Sequence, residues 1–258
     1  MALTGHVALV TGASRGIGRT IAERLAGDGA MVAVHYGSNP AAAAETVQSI
    51  TNAGGQAFAV HARLDSPGSE IGHEIDRMFA ALDEYLTEHT GDARFDILVN
   101  NAGVDRFGSI EQITPEIFDQ VFYTNVRGPF FLTQRALTRI RDNGRIIYLS
   151  SGLARVAVSR HTVYSMTKCA IDKLMAILAQ QLGPRGITVN SVAPGAVDTD
   201  MTASWLRGNE TSAKEVSEMT ALGRVGTTRD IADVVAFLAS DDGRWVTGNW
   251  IDATGGQR

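Results

Sequence analysis

Short apolar runs recur along the chain at residues 6–10, 31–35, 56–61, 96–99, 145–150, 188–193 and 250–252. Their length and their richness in Val, Ile and Ala predict strands buried on both faces. Longer stretches of helical periodicity separate them. In residues 20–28, for example, Ile21, Ala22 and Leu25 fall on one side, whereas Glu23, Arg24 and Asp28 face water. Strands alternating with helices predict βαβ units. Right-handed crossovers then give a doubly wound parallel sheet of about seven strands with helices on both faces. The alternation runs from residue 1 to 258, so one α/β domain is expected.

Three stretches depart from this rhythm. Residues 67–94 are longer than a simple return helix and rich in Asp and Glu, which predicts a helix followed by a solvated turn at residues 89–92. Residues 199–224 interrupt the alternation after Pro194-Gly195 and mix Trp205, Leu206 and Met219 with charges, a composition suited to a short helical lid. The Gly-rich tail from Asp252 to Gly256 suggests no chemistry of its own.

Composition narrows the functional classes. The formal charge of −5 leaves no basic excess for a phosphate backbone, so no nucleic-acid partner is expected. No apolar stretch reaches the roughly 18 residues a bilayer requires, and the first residues lack a basic leader, so no membrane association and a cytoplasmic location are expected. Cys169 is the only cysteine, which excludes an intrachain disulfide, and the six histidines show no metal-ligand spacing. No metal is expected.

The first strand runs into Thr11-Gly12-Ala13-Ser14-Arg15-Gly16-Ile17-Gly18, with a helix after it. Glycines there permit positive φ and close backbone approach, and a helix N-terminus offers free N–H groups to a pyrophosphate. Gly12, Ser14, Arg15, Gly16, Ile17 and Gly18 are therefore candidate cofactor contacts in a Rossmann-like domain. The second strand ends in His35-Tyr36-Gly37-Ser38-Asn39, with no carboxylate before Glu45 to grip the adenosine ribose of NAD. Arg15, Ser38 and Asn39 instead suit a 2′-phosphate, so NADP(H) is the favoured cofactor and NAD(H) the alternative.

Tyr164 and Lys168 stand four apart at the start of a helical segment, so the hydroxyl and the ammonium can share a face. A cation near a phenol stabilises phenolate and is expected to lower the tyrosine pKa. With the glycine loop, Asn100-Asn101-Ala102-Gly103, Asn125, Ser151 and Pro194-Gly195, this ordered set resembles the short-chain dehydrogenase/reductase family over essentially the whole chain. Among its members the sequence most resembles 3-oxoacyl-thioester and polyketide-type ketoreductases.

The resemblance implies a hydride transfer between nicotinamide and a carbonyl or secondary alcohol. It makes Tyr164 the general acid or base, Ser151 the holder of the substrate oxygen and Lys168 the ribose ligand. Asn125 is similar to the family's asparagine that holds a water in the proton relay. Ser150 is the rival of Ser151. The resemblance also places Asn101, Ala102, Gly103, Pro194, Gly195, Val197 and Thr199 along the cofactor. One departure is Arg63-Leu64, where the family often has an acidic residue before Val or Leu; Leu64 keeps the adenine-side position, while Arg63 either stacks on adenine or points into water.

The substrate is expected to be a small molecule, a medium-sized hydrophobic ketone such as a 3-oxoacyl thioester or a cyclic aromatic ketone. A mostly apolar lining is expected from residues 104–107, 152–156 and the lid's Met201, Trp205 and Leu206. Arg106 and Arg155 are read as surface cations or as contacts for a carrier's phosphopantetheine, and His161 as a rim or structural residue. A homo-oligomer, a tetramer by the resemblance, would use Phe118, Val121, Phe122, Phe130, Phe131 and Leu132 if they are not core. The competing reading is a dinucleotide sensor without catalysis on the same fold, which would tolerate loss of the tyrosine or the lysine.

Overall fold

A computed structural model of the chain describes residues 2–257. Its centre is one parallel sheet of seven strands in the order β3-β2-β1-β4-β5-β6-β7. The strands are β1 (Val7–Val10), β2 (Met31–Tyr36), β3 (Gln56–His61), β4 (Phe95–Asn100), β5 (Ile140–Leu149), β6 (Thr188–Pro194) and β7 (Trp250–Ala253). Most lie within one or two residues of the apolar runs. β5 differs: it pairs Phe95 with Ile140, slips, and resumes at Ile97 opposite Arg145. The intervening polar residues carry no apolar pattern, which is why only the second part was readable. Asn143 takes a positive φ of 62° there, and a Cβ on Gly144 would stand 2.8 Å from the Arg141 carbonyl oxygen.

Nine helices accompany the strands among the described residues: α1 (Gly16–Gly27), α2 (Pro40–Asn52), α3 (Glu70–Thr90), α4 (Pro115–Phe122), α5 (Gly128–Ala136), α6 (Thr162–Leu182), α7 (Ala203–Leu206), α8 (Glu210–Met219) and α9 (Thr228–Ala239). They divide the core in two, because a strand buried on both faces sends alternate side chains to opposite sides. Val7 and Leu9 of β1 join the residues of α3, α5 and α6, while Ala8 and Val10 join those of α1, α2 and α9. α3 continues through His89 and Thr90 before Gly91, at φ 76°, ends it, so the turn is shorter than expected. The segment 199–224 folds as α7 and α8, anchored by the buried Leu206 and Val216. Of the apolar candidates for an interface, Val121 and Leu132 are core residues at 0% exposure, whereas Phe118 and Phe130 reach the surface.

Strand order reverses between β1 and β4, so the loops leaving their carboxyl ends diverge and open a cleft at the sheet's edge-on face. Among the described residues no helix is long and apolar enough to cross a membrane, and no cluster of His, Cys, Asp and Glu could hold a metal ion.

Candidate active site

Gly12 and Gly16 take positive φ values of 61° and 55°, turning the chain from β1 into α1. A Cβ on Gly18 would lie 2.3 Å from both Asn101 Nδ2 and the Gly12 carbonyl oxygen, so this glycine permits close packing of loop on loop. Asn101 Nδ2 donates to the carbonyls of Thr11 at 2.8 Å and Gly12 at 3.1 Å. The Thr11 hydroxyl receives the amides of Asn101 and Ala102 at 2.9 and 3.0 Å. Residues 101–103 thus shape the glycine loop as well as line the cleft. No side chain caps the start of α1, which leaves its first N–H groups free for an anion.

His35 completes this scaffold, a role its place in an apolar run concealed. Its Nδ1 accepts the Gly12 amide at 3.1 Å, and its Nε2–H donates to the Ala62 carbonyl at 3.1 Å. That pair of bonds requires a neutral ring, and burial accordingly pushes its pKa down to about 4.

Every cofactor-contact residue named from the sequence, from Gly12 to Thr199, lines a single cavity of about 800 Å³, together with Ser151, Tyr164 and Lys168. On the adenosine side the Arg15 side chain is exposed and has no polar partner among the described residues. Asn39 uses Oδ1 to cap α2 through the Ala42 amide at 3.0 Å, leaving its NH2 group and Ser38 for a ligand. Arg63, also on the cavity wall, has a side chain paired with a neighbouring carboxylate. Its guanidinium forks onto Asp65 at 3.2 and 3.0 Å, and its amide donates to Glu74 at 3.0 Å.

On the catalytic side, Tyr164 and Lys168 sit on successive turns of α6, with the Lys168 Nζ 5.3 Å from the centre of the Tyr164 ring. The Lys168 ammonium donates to the Leu149 carbonyl at 2.7 Å, and burial lowers its pKa to about 8. The tyrosine corrects an expectation. Its pKa is pushed up, first by burial and then by the charge of Asp105, while a hydrogen bond from Ser151 only partly opposes the rise. The nearby lysine does not outweigh these causes. The phenol therefore keeps its proton at neutral pH.

Ser150 and Ser151 part ways at the end of β5. The Ser150 hydroxyl turns to Asp172 Oδ2 at 2.9 Å, whereas Ser151 caps the short turn after it through the Leu153 amide at 3.2 Å and meets Tyr164. Asn125 lies behind the cavity, in a π-helical turn over Tyr123–Arg127 that joins α4 to α5. Such widened turns recur at functional sites. Its side chain closes both ends of the Val104 peptide, accepting the amide and donating to the carbonyl at 2.8 Å each, and also donates to Thr167 at 3.2 Å. It thereby positions the loop that follows β4.

The substrate end differs from the lining expected. Val104, Phe107 and Met201 line the cavity, but so do Asp105, Arg106, Gln120, Thr124, Asp200 and Ser204, which makes the wall mixed in polarity. Trp205 and residues 152–156 are not part of it. Arg155 instead lays its guanidinium 3.7 Å over the Trp250 ring, a cation–π contact remote from any carrier role, and Arg106 donates to Gln120 at 3.1 Å. The tail also acquires a function: Gln257 Oε1 accepts the Ala196 amide at 3.1 Å, and a Cβ on Gly195 would strike it at 2.6 Å. The C-terminus thus locks the Pro194-Gly195 loop against the cavity.

Comparison with known proteins follows the same outline. A family described as Enoyl-(Acyl carrier protein) reductase matches residues 12–258. An uncharacterized oxidoreductase of Methylorubrum extorquens is 45% identical, over 99% of both chains. The versicolorin reductase of Emericella nidulans is 42% identical, over 98% of this chain and 96% of the relative. The crystal structure of a landomycin C-6 ketoreductase with bound NADP and rabelomycin superposes with a TM-score of 0.89 at 49% identity. It covers 99% of this chain and 97% of the other.

Proposed function

This chain belongs to the short-chain dehydrogenase/reductase family, and from that premise we propose that it reduces a cyclic aromatic ketone to the secondary alcohol with NADPH. The observation that carries the reading is the Tyr164 phenol on the cavity wall, its proton affinity raised, beside Ser151 and one helical turn from Lys168. A protonated acid beside a hydroxyl donor suits reduction of a carbonyl, in which negative charge develops on oxygen and must be met by a proton.

The residues fit the dinucleotide. The glycine loop lines the cavity, the open N-terminus of α1 faces the cleft, and Arg15, Ser38 and Asn39 offer donors to a 2′-phosphate. Close structural relatives were crystallised with NADP. Bound NADPH supplies the hydride. Ser151 orients the ketone oxygen, Tyr164 delivers its proton to that oxygen, and Lys168 holds the ribose while its charge compensates the phenolate left behind. Asn125 keeps the loop after β4 in register with α6 through Val104 and Thr167.

A cyclic ketone is favoured over a 3-oxoacyl thioester for two reasons. The relatives named above are a versicolorin reductase and a landomycin C-6 ketoreductase, and Arg155 is turned away from the cavity where a carrier arm would need it. The intact Tyr164 and Lys168 give no support to a sensor without catalysis. The exposed Phe118, stacked on Phe122 at 4.5 Å, and the exposed Phe130 favour a homo-oligomer, a tetramer in this reading. A lone, unpaired cysteine accords with a cytoplasmic setting.

The direct test is NADPH oxidation with 1-tetralone, 1-decalone, a 3-oxoacyl thioester and a small sugar. Faster turnover of the bicyclic ketones is expected. Preference for the thioester or the sugar would overturn the substrate assignment, and no turnover of any ketone would overturn the reaction.

A further inference from the structure

The loop after β4 carries one charged group that the mechanism above does not use. Asp105 is almost fully enclosed, its side chain 6% exposed, and its Oδ2 receives the Nδ1–H of His161 at 2.8 Å. Its Oδ1 has no hydrogen-bond partner although it is buried. Such an orphaned carboxylate oxygen is costly, so a retained one calls for a reason. The arrangement is stapled in place. Gly108 bridges His161, its amide donates to the Arg160 carbonyl at 3.0 Å, and Phe107 packs edge-on against the imidazole with ring centres 4.8 Å apart.

His161 stands three residues before Tyr164, with ring centres 6.4 Å apart, and Asp105 lines the same cavity as the phenol. We propose that Asp105, held by His161, is a positioning residue for proton transfer: its carboxylate keeps the proton on Tyr164 until the ketone oxygen takes it, biasing the site toward reduction.

This inference rests on the reading of Tyr164 as the acid. The charged groups facing the pair are few. From the same loop comes Arg106, whose guanidinium bonds the Asp105 carbonyl rather than its carboxylate, and Arg160 lies over Phe107. From α6 come Lys168, whose ammonium also donates to the Leu149 carbonyl, and Asp172, bonded to Ser150; from the end of β5 comes the Ser151 hydroxyl. Among the described residues no Lys or Arg forms an ion pair with the Asp105 carboxylate. A negative charge beside a phenol disfavours phenolate, and the effect is strongest where water is excluded. Both Tyr164 and Lys168 feel this charge, each in the direction of keeping its proton.

The sign follows directly. Alcohol oxidation uses the phenolate as base, so its rate climbs as pH rises through the tyrosine's titration. Reduction falls away through the same titration. Neutralising Asp105 moves both limbs toward acid. The experiment measures pH profiles of kcat for 1-tetralone reduction and 1-tetralol oxidation in the wild type, Asp105→Asn and Asp105→Ser, with NADPH binding and thermal unfolding as controls on folding. The neutral variants are expected to shift the oxidation limb about one pH unit toward acid and to raise the oxidation-to-reduction ratio at neutral pH. His161→Asn, which retains a donor for Oδ2, is expected to keep the wild-type limb.

An unmoved limb in both folded neutral variants, or a shift toward alkali, would overturn the proposal. Equal losses in the two directions would assign Asp105 a packing role only. If Tyr164→Phe retained turnover, the reading of the acid would fail; if that variant is inactive but the Asp105 variants keep the wild-type profile, only this inference fails.

Discussion

In the cleft beneath β1, β2 and β3 side chains hold main chain in shape, whereas beneath β5, α6 and the loop after β4 side chains act on the reacting groups. In the nucleotide half, Asn101 bonds the Thr11 and Gly12 carbonyls, His35 bridges Gly12 to Ala62, and Gly18 packs where no Cβ fits. The catalytic half brings Tyr164 and Lys168 of α6 together with Ser151, Asn125 and Asp105 from other stretches, and each acts through charge or a hydrogen bond. Each half is therefore sensitive to a different kind of substitution. Changes in the first half work through fit and fold, those in the second through proton affinity.

The sharpest separation is expected from Tyr164→Phe. It removes the transferable proton but preserves the ring, so turnover should fall by about 10²- to 10⁴-fold while the NADPH dissociation constant stays near wild type. Steady-state kinetics and fluorescence titration check this. Lys168→Ala spans both halves and should lower turnover and binding together; an effect on turnover alone would break the division.

The nucleotide half should show itself in acid. His35 is neutral when folded, with a pKa of about 4 against the usual 6.5. Between those values the unfolded chain binds a proton that the native one refuses, so stability falls as pH drops through the window and levels off below it. The loss amounts to roughly 3 kcal/mol for the full shift. Chemical denaturation at pH 7 and pH 4.5 measures it, and His35→Asn should flatten that part of the profile. A slope unchanged in this variant would remove His35 from the scaffold.

Arg15→Ala tests whether this half also sets cofactor choice. Loss of one charge-assisted contact should weaken NADPH binding about ten- to a hundredfold and leave NADH nearly untouched. Because the side chain is exposed and unpaired, the melting temperature should not move. A wild-type preference for NADH would overturn the assignment of Arg15, Ser38 and Asn39.

The smallest effect is expected at the lid. Trp205 lies off the cavity, so Trp205→Ala should change kcat/KM for a bicyclic ketone by less than about threefold, whereas Met201→Ala, on the cavity wall, should cost about tenfold. The reverse order would mean that α7 turns Trp205 inward over bound substrate.

The alternation of strands and helices, the glycine loop and the Tyr164/Lys168 pair were all legible in the sequence because each is a local pattern. Strand burial repeats within a few residues, a turn needs its glycine in place, and residues four apart on a helix share a face whatever surrounds them. Residues joined across the fold were not legible. His35 reads as one more strand residue until Gly12 and Ala62 are seen on its two nitrogens. The Asp105–His161 bond spans 56 positions, and the Gln257 bond to Ala196 spans 61. The resemblance had already favoured Ser151 over Ser150; tertiary structure added the reason, a Ser150 hydroxyl turned to Asp172, and took Trp205 and Arg155 out of the cavity. It also reversed the expected effect on Tyr164. Four-residue spacing promises that a cation is near, but only the packed structure decides that the ammonium also donates to the Leu149 carbonyl and that the Asp105 carboxylate comes close enough to oppose phenolate.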